Sequence, residues 1–445
     1  MNSSRPTPAT LDEWLQYIDR VHPQAIAMGL ERVARVKEAL RLTPEFTVIT
    51  VGGTNGKGSA CAMLEAILHH AGYRTGCYTS PHVVRYNERV RIGRRNVTDA
   101  ELVRAFAAVE QARASETAGS RGWDVPDPVP LTYFEFGTLA AVWLFVQARL
   151  DVAILEVGLG GRLDAVNAFD ANCALVMSIA LDHMDYLGDT REAIGYEKAG
   201  IFRADHPAVC GDPSPPQGLL RHADEIGARL LVRGVDFDYT AERTQWRYRG
   251  PYGGRHGLPH PVLRGTHQLA NASTCIAALD TQRERLPVTM DDIRSGLLEA
   301  EAPGRFQVLP GRPAIILDVA HNPAAASALA ATLGEMGGTG RTLAVFAMLR
   351  DKDIAGVVSA IHSRIDAWYV AGIDAPRGAS ADLLAGVVRE HDVANPPVVC
   401  ENIADAYAQA CDDATQNDRI LVFGSFYTVS AAIEAREARR AMRQR

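Results

Sequence analysis

The sequence predicts a two-domain α/β fold, with a larger domain over residues 1–301 and a smaller one over residues 302–445. Strand-like and helix-like segments alternate along both regions, which is typical of mostly parallel sheets covered by helices. The chain of 445 residues is also too long for one ordinary hydrophobic core. The Pro-Gly-Arg segment at residues 303–305 supplies the third observation, because Pro and Gly mark breaks between structural elements.

In the larger domain, short β-branched or apolar runs predict strands, and apolar residues at helical spacing predict helices. The apolar run that begins at Val152 is what a strand buried on both faces requires. We expect strands at 46–51, 75–78 and 152–157, helices at 59–71, 98–114, 133–147, 267–280 and 291–301, a helix from residue 190 through Lys198, a loop at 115–130, and hairpins within 232–262.

The smaller domain repeats the alternation of strand and helix. Candidate strands lie at 314–318, 342–346, 367–370 and 420–423, and helical segments fall between them. This pattern predicts a Rossmann-like α/β domain.

Composition narrows the class of protein. Apolar residues make up 47% of the chain and charged residues 22%, as in a globular enzyme, and the net charge of −7 argues against a dedicated nucleic-acid binder. No stretch is apolar and uncharged over the roughly 18 residues that a membrane span needs. The seven cysteines are dispersed without CxxC spacing, which indicates reduced thiols in the cytoplasm. We expect a monomer that binds neither membrane nor nucleic acid.

The segment GTNGKGS at residues 53–59 follows a predicted strand and precedes a predicted helix. In that setting, backbone N–H groups and the helix N-terminus can hold phosphate oxygens, and Lys57 can reach the terminal phosphates. The match to GxxxxGK[ST] is imperfect, because three residues separate Gly52 from Gly56 and Gly58 follows the lysine. The larger domain is therefore predicted to be of the P-loop ATPase type. A Gly-rich turn carrying a surface lysine is the alternative.

The form of this loop resembles that of the Mur ligase superfamily, whose members use ATP to join a carboxylate to an amine. Further segments resemble its folylpolyglutamate synthase branch, and they follow one another along nearly the whole chain. They are TSPH (79–82), NER (87–89), LEVGLGGRLDA (155–165), LDH (181–183), EKAGI (197–201), PGRFQ (303–307), DVAHNP (318–323), DKD (351–353) and GSFYTV (424–429). MGLERV at 28–33 is most similar to bifunctional bacterial members of that branch.

The resemblance implies a ligase that adds L-glutamate to dihydropteroate and to reduced folates through an acyl phosphate, releasing ADP and phosphate. It implies ATP and two magnesium ions as cofactors. Three alternatives stay open: folylpolyglutamate synthase activity alone, another Mur-type amide ligase, and a nucleotide-binding switch without ligase activity.

The resemblance also assigns residues to the nucleotide and the metal. It implies that ATP is bound by Thr54, Asn55, Gly56, Lys57, Gly58, Ser59, Asn271, Arg305 and Asp318. It implies that magnesium is held by Ser80, Glu156 and His183. The sequence itself supports the role of Glu156 as a metal ligand, because a carboxylate that ends an apolar strand is costly to bury without a cation. A turn hydroxyl at Ser80, a structural histidine at His183 and a surface linker arginine at Arg305 are the alternatives.

Lys57, Lys198 and His321 are the candidate catalytic residues. In the family, the position of Lys198 is a lysine carbamoylated by CO₂, which converts an ammonium into an anionic ligand near magnesium. An ion pair of Lys198 with Glu197 or Glu192 is the alternative.

The resemblance places the pterin substrate and the glutamate at two further sets of residues. The pteroate or folate set is Gly29, Leu30, Glu31, Arg32, Thr132, Tyr133, Phe134, Glu135, Leu163, Asp164 and Ala165; the glutamate set is His321 and Ser425. Phe134 could stack on a pterin ring or be ordinary helix core. Arg305 and Asp318 belong to the junction and the smaller domain, so we expect domain closure to complete the site and exclude water.

Overall fold

The computed structural model describes residues 8–115, 128–337, 340–391 and 395–443. Its helices are α1 (Leu11–Ile18), α2 (Glu31–Ala39), α3 (Lys57–His70), α4 (Asp99–Ser115), α5 (Tyr133–Ala148), α6 (Met184–Leu187), α7 (Arg191–Ala199), α8 (Gln217–Glu225), α9 (His267–Thr281), α10 (Met290–Glu299), α11 (Pro323–Glu335), α12 (Ile354–Ile361), α13 (Ala381–Arg389), α14 (Ile403–Asp413) and α15 (Phe426–Arg443). Most of the predicted loop at 115–130 lies outside the described residues.

Strands fall in three groups along the chain. They are β1 (Thr47–Gly52), β2 (Thr75–Tyr78), β3 (Val90–Ile92), β4 (Arg95–Asn96), β5 (Val152–Glu156), β6 (Cys173–Val176), β7 (Pro207–Cys210) and β8 (Arg229–Val232); then β9 (Asp238–Ala241), β10 (Gln245–Gly250) and β11 (Gly253–Pro259); then β12 (Gln307–Leu309), β13 (Ala314–Leu317), β14 (Thr342–Phe346), β15 (Ala367–Val370), β16 (Val398–Val399) and β17 (Arg419–Phe423).

The first group forms an eight-stranded sheet in the order β4-β3-β2-β5-β1-β6-β7-β8. Strands β2, β5, β1, β6, β7 and β8 run parallel, and β3 and β4 add an antiparallel edge. Helices cover both faces, so the central strands are buried throughout and read as apolar runs. The fold class predicted for this region is confirmed.

The predicted hairpins within 232–262 are confirmed as an antiparallel sheet in the order β11-β10-β9. Trp246 and Tyr248 on β10 are buried in a core cluster that includes residues of α9, whereas Arg247 and Arg249, which alternate with them, are exposed. This alternation with a period of two residues is what a sheet with one solvated face requires.

The third group forms a six-stranded sheet in the order β12-β13-β17-β14-β15-β16, parallel except for β12. Its core includes Phe346, Trp368 and Phe423, and the rings of Phe346 and Phe423 lie 4.9 Å apart. The predicted second α/β region is therefore confirmed.

Several predicted elements match within one or two residues, and β2, β14 and β15 match at both ends. The sequence pattern does not indicate β6, β7 and β8, each four residues long, or the short pair β3 and β4. Length alone does not explain the difference, because β2 and β15 are also four residues long; β6, β7 and β8 are defined by their pairing with neighbours in the sheet.

Candidate active site

A cleft of about 800 Å³ lies where the carboxyl ends of the two parallel sheets face each other. Its walls include the loop after β1, the segments after β2 and β6, and the end of β5; from the second sheet come the segments after β13, β14 and β17. In open α/β sheets, ligands bind outside the carboxyl ends of strands, so this cleft is the candidate active site.

The loop between β1 and α3 packs tightly in a shape that needs glycine. Gly53 and Gly56 have φ of 131° and 89°, in the region that disfavours other residues. A Cβ at Gly53 would lie 2.9 Å from the backbone nitrogen of Met177, and one at Gly56 would lie 2.6 Å from Asn271 Oδ1. The loop is also held to the segment that follows β6, because Thr54 N–H donates to the Ser178 carbonyl at 2.6 Å.

Lys57 is the first residue of α3, whose first-turn N–H groups have no partner within the helix. Its Nζ bends back and donates to the carbonyls of Gly53 at 3.0 Å and Thr54 at 3.2 Å. Burial lowers the pKa of Lys57, while the carboxylates of Glu156 and Asp182 oppose this shift. The lysine therefore lies in the cleft as part of the loop and is not a surface side chain.

Ser80, Glu156 and His183 all line the cleft. Glu156 ends β5 and is 2% exposed, and it accepts the Ser80 backbone N–H at 2.9 Å. Burial raises the pKa of Glu156 although Lys57 lies nearby. Burial likewise lowers the pKa of His183 to about 4, so the imidazole is neutral near pH 7, the form that binds metal ions.

The side chains of Ser80, Glu156 and His183 are of the types that bind divalent cations. A carboxylate buried with one backbone donor benefits from a cation, and a hydroxyl and a neutral imidazole can complete a mixed set of oxygen and nitrogen ligands. Among the described residues, no group of three His, Cys, Asp or Glu side chains stands ready to hold a metal. The proposed set therefore depends on Ser80.

Arg305 lies beside Gly58 and Asn271 beside Gly56, both at the loop 53–59. A Cβ at Gly58 would lie 3.5 Å from Arg305 Nη2 and 3.8 Å from Glu156 Oε1, which places the guanidinium beside the first turn of α3. Arg305 also lies 5.2 Å from the ring centre of Phe426. The alternative of a linker arginine pointing to solvent does not describe this position, since Arg305 lines the cleft.

Asp318 follows β13 and is fixed by the backbone. Its two carboxylate oxygens accept the N–H groups of Phe306 and Ala320, each at 2.8 Å. Burial raises the pKa of Asp318, and these two hydrogen bonds oppose the shift.

Asp182 connects the two sheets across the cleft. It accepts a hydrogen bond from Lys352 Nζ at 2.6 Å and one from Asn322 Nδ2 at 3.2 Å, and His321 Nε2 lies 3.4 Å away. Burial alone would raise the pKa of Asp182, but the nearby cationic and histidine groups hold it well below its usual range. A second link is the amide pair of Asn55 and Asn322, at 3.0 and 3.1 Å.

We expect Lys352→Met to lower the free energy of unfolding by about 3 kcal/mol, because it leaves the carboxylate of Asp182 buried without its cation. Both side chains are less than 10% exposed. Because the pKa of Asp182 is lower in the folded than in the unfolded state, its ionised form stabilises the fold at every pH above the unfolded-state pKa. This stabilisation is lost only as the pH falls through the folded-state pKa, so the effect of Lys352→Met should be constant from pH 5 to 8. Urea unfolding measures it.

Arg439→Met is the matched control, because Arg439 pairs at 2.6 Å with Asp412, which is two-thirds exposed. It should cost less than about 1 kcal/mol. Equal losses in the two variants would show that the pair of Lys352 and Asp182 is not a stabilising link between the sheets.

Lys198 lies in α7, whose first turn is capped by Thr190 as the sequence predicts. Its side chain lines the cleft and makes no hydrogen bond or ion pair with any described residue. The carboxylates of the alternative interpretation have other partners, since Glu197 pairs with Arg162 at 2.8 Å and Glu192 accepts the Gly218 N–H at 2.7 Å. Burial, with the charge of Lys57, lowers the pKa of Lys198 to about 7.

His321 and Ser425, the candidates for glutamate, also line the cleft. His321 Nδ1 lies 2.8 Å from the Val319 carbonyl, which leaves Nε2 directed to Asp182. Ser425 is buried, and its Oγ accepts the Thr428 N–H at 3.0 Å at the start of α15. Ser425 thus has a structural partner of its own.

The candidate pteroate residues do not line this cleft; those described here form a neighbouring cluster. Arg32 pairs with Glu135 at 2.8 Å, and Gly29 N–H donates to the Leu163 carbonyl at 3.4 Å. Leu30 and Glu31 begin α2, and Thr132 with Glu135 forms the capping box of α5. Tyr133 opens that helix, and Ala165 begins a short 3-10 turn after Asp164.

Phe134 connects the cluster to the cleft. Its ring lies so close to Gly158, which lines the cleft, that a Cβ there would be 2.7 Å away. The ring of Phe134 is also 5.8 Å from that of Tyr78. Burial raises the pKa of Asp164 to about 7 although it accepts backbone N–H groups from Leu159 and Val166.

Sequence reasoning did not select several residues that the cleft contains. They are Asp182, Lys352, Gln268, His82 and Arg89, together with Asn322, which donates to Asp182. All except Gln268 lie within the quoted segments LDH, DVAHNP, DKD, TSPH and NER, which is the signal that could have found them. Gln268 donates to Ser59 Oγ at 3.3 Å. Its place in the cleft depends on the packing of α9 against α3, which no local sequence pattern indicates.

The candidate phosphate loop lies in one α/β region, and basic and carboxylate side chains of the second α/β region face it across the cleft. This combination of fold and site defines an ATP-dependent ligase of the Mur type. The chain matches the family model of the Mur ligase middle domain over residues 51–279 and that of the Mur ligase glutamate ligase domain over residues 304–426. It is 45% identical over 431 residues to the dihydrofolate synthase/folylpolyglutamate synthase of Escherichia coli K12, which covers 97% of this chain and 96% of that protein.

Two solved structures are also similar along the whole chain. One is the E. coli FolC complex with DHPP and ADP, with a TM-score of 0.90, 44% identity, and coverage of 98% of this chain and 100% of that one. The other is a bifunctional folylpolyglutamate synthase/dihydrofolate synthase with Mn, AMPPNP and L-glutamate bound, with a TM-score of 0.86, 44% identity, and coverage of 97% and 100%. The chain belongs to the dihydrofolate synthase/folylpolyglutamate synthase family of the Mur ligases.

Helices long and apolar enough to cross a membrane are absent from the part of the chain that the structure describes.

Proposed function

We propose that the protein adds L-glutamate to dihydropteroate, giving dihydrofolate, and to reduced folates, giving polyglutamates, with ATP and a divalent metal as cofactors. The observation that carries this is the convergence of the loop 53–59, Glu156 and Arg305 at one point of the cleft between the domains. The similarity to ligases solved with an ATP analogue, metal and glutamate supports it.

The chemistry requires that a carboxylate be made into an acyl donor. ATP converts it into an acyl phosphate, the amine of glutamate attacks, and phosphate leaves. Triphosphate, substrate carboxylate and glutamate carboxylates are all anionic, so positioning and charge neutralisation provide most of the catalysis. In our proposal the N–H groups of residues 54–59 and Lys57 hold the phosphates, and Arg305 balances charge that develops on the transferred group.

The remaining ATP contacts and the metal complete this part of the proposal. Asn271 and Asp318 bind the base and ribose region. Ser80, Glu156 and His183 would hold magnesium, which, when bound, neutralises the triphosphate. The pairs of Asp182 with Lys352 and Asn55 with Asn322 keep the domains together and exclude water from the labile acyl phosphate.

We assign the pteroate or folate ring to the cluster around Phe134 and Asp164, and the incoming glutamate to His321 and Ser425. The domain boundary is proposed at residues 301 and 302, which lies between the two matched family models. We further propose that the protein works in the cytoplasm as a monomer.

Labelled glutamate transfer tests the function. The protein is incubated with ATP, Mg²⁺ and radiolabelled L-glutamate, with dihydropteroate or tetrahydrofolate added in turn. We expect labelled product with both acceptors. Labelled product with tetrahydrofolate alone would show that the protein lacks dihydrofolate synthase activity. The absence of labelled product with both acceptors would overturn the proposal.

We propose that Lys198 is carbamoylated by CO₂. The support is its position in the cleft, its lack of an acidic partner among the described residues and its lowered pKa of about 7, since only the free amine reacts with CO₂. The free amine predominates above this pKa, so bicarbonate should activate the enzyme more at pH 8 than at pH 6. Intact mass spectrometry should show one added CO₂ that Lys198→Ala removes.

Lys37→Ala is the control for this modification, because Lys37 Nζ donates to the Ala168 carbonyl at 2.7 Å, outside the cleft. It should keep the added mass. An unmodified wild-type protein that is fully active after removal of CO₂ would contradict the proposal.

A further inference from the structure

Arg89 is a cation at the wall of the cleft that has no anionic partner among the residues that the structure describes. It is 9% exposed and ends the 3-10 turn Tyr86–Arg89. Its guanidinium lies 5.2 Å from the ring centre of Tyr86 and 5.4 Å from that of Tyr133. Among the described residues, no carboxylate lies within ion-pair distance of it.

The nearest acid in sequence cannot serve as the partner. The carboxylate of Glu88 is engaged by the backbone N–H groups of Val83 at 2.7 Å, Val84 at 2.9 Å and Arg85 at 2.7 Å. A charged group buried without a partner is costly, and an arginine stays charged at every physiological pH. Because Arg89 lies in the wall of the cleft, we expect it to bind an anion of a ligand.

A second donor lies beside it. Arg89 Nε donates to His82 Nδ1 at 2.8 Å, and His82 also lines the cleft. An imidazole that accepts at Nδ1 carries its proton on Nε2, so it offers a further N–H. The remaining guanidinium N–H groups form the planar fork that matches a carboxylate.

The location narrows the choice of anion. In our proposal the triphosphate is bound by the loop 53–59 and by Arg305, which lies beside Gly58. Arg89 instead contacts Tyr133, which precedes Phe134 in the cluster proposed for the pteroate ring. The anion at Arg89 therefore belongs to the folate substrate.

We propose that Arg89, supported by His82, binds the α-carboxylate of the terminal glutamate of a folate substrate. Dihydropteroate has a single carboxylate, the one that reacts, whereas a folate has a second that does not. A buried arginine clamp would withdraw charge from a carboxylate that must attack ATP, so it suits the group that stays a carboxylate throughout. This inference rests on the proposed function and makes Arg89 a determinant of folate use.

Arg89→Met tests this in the full-length protein, because methionine keeps the apolar stem between the two tyrosines. We expect KM for tetrahydrofolate to rise about tenfold to a hundredfold, as for a lost hydrogen bond to a charged group. KM for dihydropteroate and for L-glutamate should change less than about threefold. Arg89→Lys, which keeps the charge but loses the fork, should recover part of the loss.

Arg85→Met is the matched control, since Arg85 precedes the same turn and is largely exposed. It should leave all three KM values unchanged. An equal rise for tetrahydrofolate and dihydropteroate, a rise for L-glutamate, or no rise at all with Arg89→Met would each overturn the proposal.

A measurement on the unaltered protein keeps the test decisive if Arg89→Met does not fold. A tetrahydrofolate whose α-carboxylate is replaced by a carboxamide should have a KM higher by the same factor, and equal KM values would overturn the proposal. Failure of the proposed function looks different, because the unaltered protein would then turn over neither tetrahydrofolate nor its amide.

Discussion

We expect Lys57→Ala to lower ligase turnover by about a hundredfold to a thousandfold and to leave the fold intact. The reason is that Nζ, held by the carbonyls of Gly53 and Thr54, is the cation of the loop nearest to the phosphates that it would bind. Removing one preorganised group that stabilises charge in a dry site costs two to three orders of magnitude in comparable enzymes, about 10²–10³. The rate of ADP release with dihydropteroate and glutamate measures the effect.

Stability should not account for this loss. Burial lowers the pKa of Lys57, which means that the protein bears a cost for keeping this cation. We therefore expect the thermal midpoint of Lys57→Ala to stay within a few degrees of the wild type. Lys37→Ala is the matched control and should keep full turnover. An active Lys57→Ala variant would show that residues 53–59 are not the phosphate site.

Glu156→Gln is expected to reduce turnover at least about a hundredfold and to raise the Mg²⁺ concentration needed for half-maximal activity. Glutamine keeps the size of the side chain but removes the buried carboxylate that would hold the metal. The rate measured against Mg²⁺ concentration, at saturating ATP, separates weaker metal binding from a general loss of activity.

Thermal unfolding gives a second readout for Glu156. Mg²⁺ with ADP should raise the melting temperature of the wild type, because a ligand that binds only the folded state stabilises it. The same addition should have little effect on Glu156→Gln. Without metal, the variant should melt no lower than the wild type, because burial already disfavours the charged form of Glu156. An unchanged Mg²⁺ response would contradict a metal role for this residue.

Glu110→Gln serves as the control carboxylate, since Glu110 pairs with Arg113 on α4, away from the cleft. We expect its Mg²⁺ dependence to equal that of the wild type.

The sequence by itself determined the class of fold and the family, and it predicted the phosphate loop. These depend on local features: a β-branched strand, glycines at fixed spacing and a following helix lie within about 25 residues of one another. Motifs such as LDH and DVAHNP were visible for the same reason. Of the residues selected for ATP, metal and glutamate, Thr54, Glu156, Arg305 and His321 are among those that the structure brings into one cleft.

The tertiary structure decided which of these groups contact one another. Asp182 and Lys352 are 170 positions apart, and Asn55 and Asn322 are 267 positions apart, so no local pattern could pair them. It also showed that the pteroate candidates form a separate cluster beside the cleft, and that Arg89 lacks an acidic partner among the described residues. Such facts depend on how two domains pack, and packing places residues by shape and burial rather than by their order in the chain.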